Sequence, residues 1–263
     1  MSIKAIFLDL DGTSLTPAHT FSEPLMKTLK ILQNEGIEII FSTGRSYASS
    51  HRFALELGDC RYIINYNGAR VFDFLENRVI SQHTLPAKTV FDVLDFERAH
   101  ALDTVFYHDD IIYNRGGQQH ASFYENETYI DTDSITNWDA MTFTKALFIV
   151  PPEKSILYQD KAHAHFERVN IMTSASNYLE IMPEGVSKAT GVEAVLERIN
   201  VSPDEAMAVG DQLNDLAMLN LVGTSFIMEN ATPQLKEEFD SSRIIPSNAE
   251  DGVHQMLTRY FDL

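Results

Sequence analysis

The sequence predicts an α/β protein with a parallel-sheet core and an inserted α+β domain. Short apolar runs alternate with segments of helical periodicity over residues 5–64, and the same alternation returns after residue 185. Several of these runs end in small polar or acidic residues. Between them, residues 81–183 contain β-rich stretches and helix-like segments without that regular alternation. Parallel strands joined by helices explain the first pattern, and an insertion explains the second.

The core is expected to contain residues 1–80 and 184–263. Leu25, Leu29 and Leu32 recur at helical spacing after Ser22-Glu-Pro, a typical helix start. The remaining core elements are read from apolar runs and their periodicity. Strands are predicted at 6–8, 37–41, 62–64, 206–210, 225–228 and 244–245, and helices at 22–35, 45–57, 188–199, 216–221, 233–239 and 252–261.

The insertion at 81–183 is expected to form a domain of its own. Its predicted helices are 88–101 and 153–168, and its predicted strands are 104–107, 111–114, 146–150 and 178–182. Asp109-Asp110 reads as the turn of a hairpin. The aromatic residues are expected to form mostly the core of this domain, with some at a substrate entrance: Phe106, Tyr107, Tyr113, Phe123, Tyr124 and Tyr129.

Composition narrows the classes of partner. The chain has 263 residues with 20 basic and 38 acidic side chains, a formal net charge of −18. Such a surface repels nucleic acid and anionic membranes. Cys60 is the only cysteine, which indicates a reducing compartment. No signal peptide is apparent and no apolar run approaches the roughly 20 residues of a membrane span. We therefore expect a cytoplasmic protein with a small-molecule partner, while the oligomeric state stays open.

Two carboxylates follow the first strand. Side chains alternate along a strand, so Asp9 and Asp11 leave on the same side, and Gly12 allows the chain to turn. Carboxylates this close repel each other unless a cation or proton lies between them. Asp211 and Asp215 follow another strand. Hard oxygen ligands beside an anionic substrate favour Mg²⁺.

Groups suited to a phosphate follow other predicted elements. Thr43 and Gly44 offer a hydroxyl and backbone N–H groups at the end of a strand, and Lys188 adds a positive charge at a helix start. Each residue also has an ordinary interpretation as a surface lysine, a strand-end threonine or a helix-start acid. The combination predicts a phosphate site beside a metal site.

In this order the motifs resemble those of the haloacid dehalogenase superfamily of phosphohydrolases. The matching segments are Asp9-Leu-Asp-Gly-Thr13, Thr43-Gly-Arg45, Gly185-Val-Ser-Lys188 and Gly210-Asp-Gln-Leu-Asn-Asp215. Within the superfamily the chain looks like the Cof-type sugar-phosphatase branch, and Asn67-Gly68-Ala69 also matches that branch. The resemblance spans the whole chain. It implies a Rossmann-like parallel-sheet core and an inserted C2-type cap that selects the substrate.

The resemblance also implies a role for each motif residue. Asp9 would attack phosphorus and form an aspartyl-phosphate, and Asp11 would act as general acid and then as general base. The implied Mg²⁺ ligands are Asp9, Asp11 and Asp211, and Asp215 would support either the metal's waters or Lys188. The groups implied to hold the phosphate are Leu10 and Gly44 through their N–H groups, Thr43, Lys188 and Asn214. The implied substrate is a small phosphorylated metabolite, with sugar phosphates first.

Other functions remain open from the sequence. A phosphomutase has a similar core and cap, a phosphoacceptor of the response-regulator type has a phosphorylated aspartate, and a silent protein could bind sugar phosphates without turnover. The intact Asp9 and Asp11 favour an enzyme. The chain departs from the family pattern at Ser14, where leucine is usual, and at Ala189, where glycine is common. Neither departure removes a phosphate-binding or metal-binding group.

Overall fold

The computed structural model describes residues 2–115, 128–175 and 177–263. It contains two units, one of Met1–Thr43, Ser50–Ser81 and Ser187–Leu263, the other of Gly44–Ser49 and Gln82–Val186. The second unit thus extends to Val186, against residue 183 in the prediction. Residues 44–49, which the sequence places in the core, group with this second unit. Phe123 and Tyr124 lie outside the described residues.

The described strands are short and mostly buried. In chain order they are β1 (Ala5–Leu8), β2 (Glu38–Ser42), β3 (Tyr62–Asn65), β4 (Arg70–Asp73), β5 (Arg78–Gln82), β6 (Asp103–His108), β7 (Ile111–Asn114), β8 (Thr128–Asp131), β9 (Lys145–Ile149), β10 (Val169–Ala175), β11 (Tyr178–Pro183), β12 (Ala206–Gly210), β13 (Thr224–Met228) and β14 (Ile244–Ile245).

The described α-helices separate most of these strands. They are α1 (Glu23–Asn34), α2 (Tyr47–Leu57), α3 (Ala87–His100), α4 (Ser155–His165), α5 (Lys188–Ile199), α6 (Leu216–Leu221), α7 (Pro233–Glu237) and α8 (Gly252–Phe261). Capping side chains explain where two of these helices begin. The Ser22 hydroxyl accepts the Leu25 N–H at 3.0 Å at the start of α1, and Ser187 with Thr190 forms a capping box at the start of α5.

The first unit contains an eight-stranded sheet in the order β14-β13-β12-β1-β2-β3-β4-β5. From β14 to β3 all neighbours are parallel, and β4 pairs antiparallel with β3. The parallel α/β core predicted from the sequence is therefore confirmed. The strand that precedes Asp9 is central, with β12 on one side and β2 on the other.

Apolar side chains cover both faces of this sheet. On one face Phe7 packs in a cluster with Val192 and Val195 of α5 and Met218 of α6. On the other face Phe41 stacks on Phe21 at 5.3 Å between ring centroids, and Phe53 of α2 meets Phe21 edge-on at 5.6 Å. Each fully buried side chain of this size contributes about 1.5–3 kcal/mol. The central strands are thus held rigidly, which fixes the residues at their ends.

The second unit contains a six-stranded sheet in the order β10-β11-β9-β6-β7-β8. Its described pairs are antiparallel except β7 with β8. Phe96 of α3 and Ala162 of α4 pack with Phe106, Ala146 and Phe148 in one apolar cluster. The predicted hairpin at Asp109-Asp110 is confirmed, since it joins β6 to β7 and Asp109 has a φ of 51°.

Candidate active site

The residues predicted to carry the chemistry follow three adjacent parallel strands. Leu8 of β1 is in register with Phe41 of β2 and Val209 of β12, so Asp9 lies level with the ends of both neighbours. Neighbouring strands lie about 4.8 Å apart. Asp211 directly follows β12 and Thr43 directly follows β2. The carboxyl ends of parallel strands therefore bring these three residues to one edge of the sheet.

Lys188 is the positive centre of this edge. It is the first residue of α5, and its side chain is fully buried. The ammonium nitrogen donates to Asp9 Oδ1 at 2.5 Å and to Asp215 Oδ1 at 2.6 Å. These contacts join residues far apart in sequence. A lysine on the surface is ruled out, because both of its partners are buried carboxylates.

The start of α5 is held in place by the loop after β3. Tyr66, Asn67 and Gly68 all have positive φ, between 50° and 96°. A Cβ on Gly68 would lie 1.9 Å from the carbonyl oxygen of Ser187, so only glycine allows this approach. The Asn67-Gly68 segment thereby sets the position from which Lys188 reaches Asp9.

Both oxygens of the Asp215 carboxylate accept hydrogen bonds, three in all. Besides Lys188 on its Oδ1, its Oδ2 accepts the backbone N–H groups of Asp211 at 2.9 Å and Gln212 at 3.0 Å. A carboxylate with three such partners is fixed in orientation. In this arrangement Asp215 holds Lys188 and the loop after β12.

Asp211 lies against the turn of the first motif. The Thr13 hydroxyl donates to Asp211 Oδ1 at 3.2 Å, and the Gln212 amide donates to Oδ2 at 3.1 Å. Gly12 has a φ of 78°, and a Cβ there would lie 2.3 Å from Asp211 Oδ2. Glycine at this position thus leaves the space in which the Asp211 carboxylate sits beside Asp9.

The electrostatics of this cluster favour an added cation. Three buried carboxylates surround one ammonium, which leaves an excess of negative charge. Burial raises the pKa of Asp9 well above its usual value, opposed by Lys188 and reinforced by Asp215 and Asp211. Burial and the Asp215 charge raise the pKa of Asp211 to about 6. Burial alone would lower the pKa of Lys188, but Asp215 and Asp9 outweigh it and raise that pKa.

The donor set fits a divalent metal. Asp9, Asp211 and Asp215 each offer a carboxylate oxygen, and these atoms all lie within 4.8 Å of one another. Because Asp215 already accepts three hydrogen bonds, Asp9 and Asp211 are the carboxylates with capacity left for a cation. The resemblance also places Asp11 among the ligands, through its main-chain carbonyl or its side chain, and its carboxylate is not part of this group of three.

The other predicted residues are chain neighbours of these acids or follow the neighbouring strand β2. Leu10 is buried and follows Asp9 directly, while Thr43 is buried and accepts the Asn67 N–H on its carbonyl at 3.0 Å. The Asn214 amide donates to Asn67 Oδ1 at 2.9 Å and has a second N–H. Gly44 follows Thr43 and begins the segment Gly44–Ser49 of the second unit.

Sequence reasoning missed several groups that position this site. Thr13 and Asn67 stand inside recognised motifs, so their motif membership was an available signal. Ser14, noted only as a departure, donates its hydroxyl to the Asp9 carbonyl oxygen at 2.6 Å. His19 places Nδ1 3.3 Å from Asp11 Oδ1, and nothing in the sequence pattern singled it out.

Comparison with known proteins decides the family. The model of the family described as haloacid dehalogenase-like hydrolase matches residues 6–257. The chain belongs to this family. The resemblance drawn from the four motifs is thus confirmed, including the Cof-type branch.

Relatives of this haloacid dehalogenase-like hydrolase match along nearly its whole length. The HMP-PP phosphatase of Escherichia fergusonii is 30% identical over 260 residues, 97% of this chain and 94% of that protein. The 5-amino-6-(5-phospho-D-ribitylamino)uracil phosphatase of Bacillus subtilis is 29% identical over 274 residues, 98% and 97% respectively. A haloacid dehalogenase-like hydrolase structure from Bacteroides thetaiotaomicron has a TM-score of 0.85 at 26% identity, covering 98% of this chain and 100% of that one.

These matches agree with the site. The protein is a haloacid dehalogenase-like hydrolase, and both named relatives are phosphatases of small phosphorylated compounds. Within the described residues, none of the helices has the length and apolarity to cross a membrane.

Proposed function

We propose that the protein hydrolyses sugar phosphates and related small phosphate monoesters, with Asp9 as nucleophile and Mg²⁺ as cofactor. The observation that supports this most is the Lys188 ammonium, held at 2.5 Å from Asp9 Oδ1 and 2.6 Å from Asp215 Oδ1. One oxygen of Asp9 is thus fixed by Lys188, and Asp9 Oδ2 is the atom proposed to attack phosphorus.

The proposed reaction has two halves. In the first, Asp9 Oδ2 forms a bond to phosphorus, the ester P–O bond breaks, and Asp11 gives its proton to the leaving alkoxide. In the second, Asp11 takes a proton from water as the water oxygen attacks phosphorus, which frees Asp9 and releases inorganic phosphate. Lys188, Thr43, Asn214 and the N–H groups of Leu10 and Gly44 would hold the phosphoryl oxygens. Positioning and charge neutralisation dominate such a reaction.

The metal would be held by the Asp9 and Asp211 carboxylates and by the main-chain carbonyl of Asp11. When bound, Mg²⁺ would neutralise the excess charge of the three carboxylates and of the substrate phosphate. Lys188 alone cannot balance them, because it offers a single positive charge. Mg²⁺ is the first choice because every ligand in this set is a hard oxygen.

The first test is phosphate release with and without metal. We expect release from sugar phosphates to stop in chelator, to return with Mg²⁺, and to fall at least about 10³-fold in Asp9→Asn, which removes the covalent route. Asp139→Asn, an exposed aspartate of the second unit, serves as the matched control and should keep the wild-type rate. Full release by metal-free enzyme, or by Asp9→Asn, would contradict the mechanism.

The acidity of Asp211 adds a pH readout to the same assay. Its pKa of about 6 means that a proton competes with the metal below that value. The Mg²⁺ concentration that gives half the maximal rate should therefore rise as the pH falls from 7 to 5. A half-saturating concentration that does not change over this range would argue against Asp211 as a ligand.

The substrate panel should follow the chemistry of the relatives as well as that of the sequence. The two named relatives act on phosphorylated compounds, HMP-PP and a phosphoribitylaminouracil. Hexose phosphates, pentose phosphates and these two compounds therefore form the first panel. Because inorganic phosphate is measured, a phosphomutase, which returns phosphate to the sugar, would give no signal. We propose the cytoplasm as its location, since such metabolites are made and used there.

A further inference from the structure

A short loop after the first motif presents His19 to the side of the site. Residues 16–20 form a closed turn, in which the Thr16 N–H donates to the Thr20 carbonyl at 2.9 Å and the His19 N–H to the Thr16 carbonyl at 2.8 Å. The Thr16 and Thr20 hydroxyls lie 3.2 Å apart. His19 has a φ of 56°, a left-handed conformation that is costly for a residue with a Cβ. The loop is thus built to keep His19 in one orientation.

In that orientation the imidazole meets the proposed acid and base. His19 Nδ1 lies 3.3 Å from Asp11 Oδ1, while the side chain of Asp11 is 37% exposed and that of His19 66%. Neither side chain is locked by burial, so a directional contact matters more for Asp11 than it does for the buried Asp9. The distance is at the long end for a hydrogen bond, as is common for catalytic groups before substrate binds.

We propose that His19 is a positioning residue that directs proton transfer by Asp11. In the proposed tautomer Nδ1 carries the imidazole proton and donates it to Asp11 Oδ1, so the catalytic proton resides on Oδ2, and the turn fixes the direction in which Oδ2 points. The inference rests on the proposed role of Asp11. In the first half-reaction the Oδ2–H bond breaks and the proton joins the leaving oxygen as the P–O bond breaks. In the second, Oδ2 accepts a proton from the attacking water.

This role predicts a dependence on the leaving group. An alkoxide from a sugar phosphate is a strong base and needs a proton as it leaves, whereas p-nitrophenolate is stable without one. Misplacing the Asp11 proton should therefore slow the release of an alkoxide and leave that of p-nitrophenolate nearly unchanged. A loss of structure would slow both. The ratio kcat/KM is the right readout, because it covers only the steps up to loss of the leaving group.

Two variants distinguish the loss of the N–H donor from a change in the conformation of the loop. His19→Gly and His19→Asn both accept a positive φ, but only asparagine keeps an N–H donor near the position of Nδ1. For the sugar phosphate turned over fastest, we expect His19→Gly to lower kcat/KM about 10- to 100-fold. For p-nitrophenyl phosphate we expect the same variant to stay within about threefold of wild type. His19→Asn should restore most of the loss.

Controls make the result decisive. His254→Asn changes a histidine of α8 whose Nδ1 contacts the Thr28 hydroxyl at 2.8 Å, and should leave both substrates unaffected. An equal loss on both substrates in His19→Gly would assign His19 to loop structure alone and overturn the proposal. An undiminished rate on the sugar phosphate would do the same. In either case phosphatase activity would persist and the proposed function would stand. Asp11→Asn tests the underlying role, since it should show the same selective loss in greater degree.

Discussion

Two carboxylates stabilise the buried ammonium of Lys188. The side chain is fully buried, and its ammonium donates hydrogen bonds to Asp9 and to Asp215. Removing solvent from a charge costs several kcal/mol unless good partners replace the water. We attribute the burial of this charge to function, because in the proposed reaction the ammonium stays beside the phosphoryl group throughout. Lys188 is therefore expected to contribute to binding and to turnover alike.

Replacing this lysine tests that expectation. Lys188→Met keeps much of the side-chain volume but removes the charge, and we expect kcat/KM for a sugar phosphate to fall about 10²–10³-fold. Lys188→Arg should rescue little, because the planar guanidinium cannot replace a compact ammonium between Asp9 and Asp215. Steady-state phosphate release measures both variants.

The matched control is a lysine with an ordinary ion pair. Lys27 is 71% exposed and contacts Glu23 at 2.6 Å on α1. Lys27→Met should leave activity unchanged, since exposed pairs contribute at most about 1 kcal/mol. If Lys188→Met also had wild-type kinetics, the buried ammonium would have no part in catalysis.

At this scale, motif residues were easier to predict than their partners. Asp9, Asp211 and Lys188 were predicted as site residues because each stands in a short motif at the end of a strand or the start of a helix. The contact between Thr13 and Asp211 spans 198 positions, and no spacing rule connects them. His19 reaches Asp11 only because of the positive φ and the closed turn of its loop. Such contacts depend on three-dimensional geometry that residue types do not encode one by one.

Two strands of the second unit carry a buried ion pair. Lys145 of β9 and Glu180 of β11 lie 3.1 Å apart, and their side chains are 5% and 4% exposed. The Lys145 ammonium also lies 4.6 Å from the centre of the Tyr107 ring. These residues share the face of the sheet opposite to Ala146 and Ile181, which pack in the apolar cluster under α3 and α4. The pair thus links two central strands within a buried layer.

Replacing one member of this pair should destabilise the unit more than replacing both. Lys145→Met leaves Glu180 buried without its ammonium, and we expect the unfolding free energy of this unit to fall by about 3–5 kcal/mol. The double variant Lys145→Met/Glu180→Leu should recover most of that loss, because neither charge remains. A single variant as stable as the wild type would show that the ion pair contributes nothing.

The chain provides its own probe for this experiment. Trp138 is the only tryptophan and lies 5.4 Å from Phe106 and 5.9 Å from Phe143 by ring centroids. Its fluorescence in a urea titration therefore reports unfolding of the second unit. Lys88→Met is the control, since Lys88 is 82% exposed in its pair with Asp92 and should change stability by less than about 1 kcal/mol.

Elements with strong periodicity or long apolar runs were predicted well, and of the four strands at sheet edges only β14 was predicted. Strand β12 and helix α8 have the predicted bounds. Strands β4, β5, β8 and β10 were missed. Of these, β5, β8 and β10 lie at the edges of their sheets, where one side of a strand has no partner strand and polar residues are tolerated. Strand β4 follows Asn67-Gly68, a pair typical of hairpin turns, but its four residues include Arg70 and Asp73.

The whole molecule is expected to use its inserted unit to restrict substrates. The insertion separates Thr43 from Lys188, two groups proposed to hold one phosphate. We propose that the inserted unit restricts the enzyme to small phosphorylated metabolites and disfavours a phosphate on a folded protein surface. The full-length enzyme should therefore hydrolyse sugar phosphates at least about 10²-fold faster, by kcat/KM, than a phosphoserine protein. A short phosphoserine peptide is the control for the reactivity of the phosphoserine ester itself. Equal kcat/KM on the phosphoserine protein and on sugar phosphates would contradict the proposal.

The order of strands in the first sheet also affects how the chain folds during synthesis. Strand β1, made first, pairs along its whole length with β12, which leaves the ribosome about two hundred residues later. The second unit is nearly continuous from Gln82 to Val186 and can fold while the central strand still lacks that neighbour. We therefore expect the inserted unit to fold first on the ribosome. Nascent chains that end before Ala206 should carry Asp9 on an unfinished sheet, so the nucleophile acquires its pocket only as translation ends.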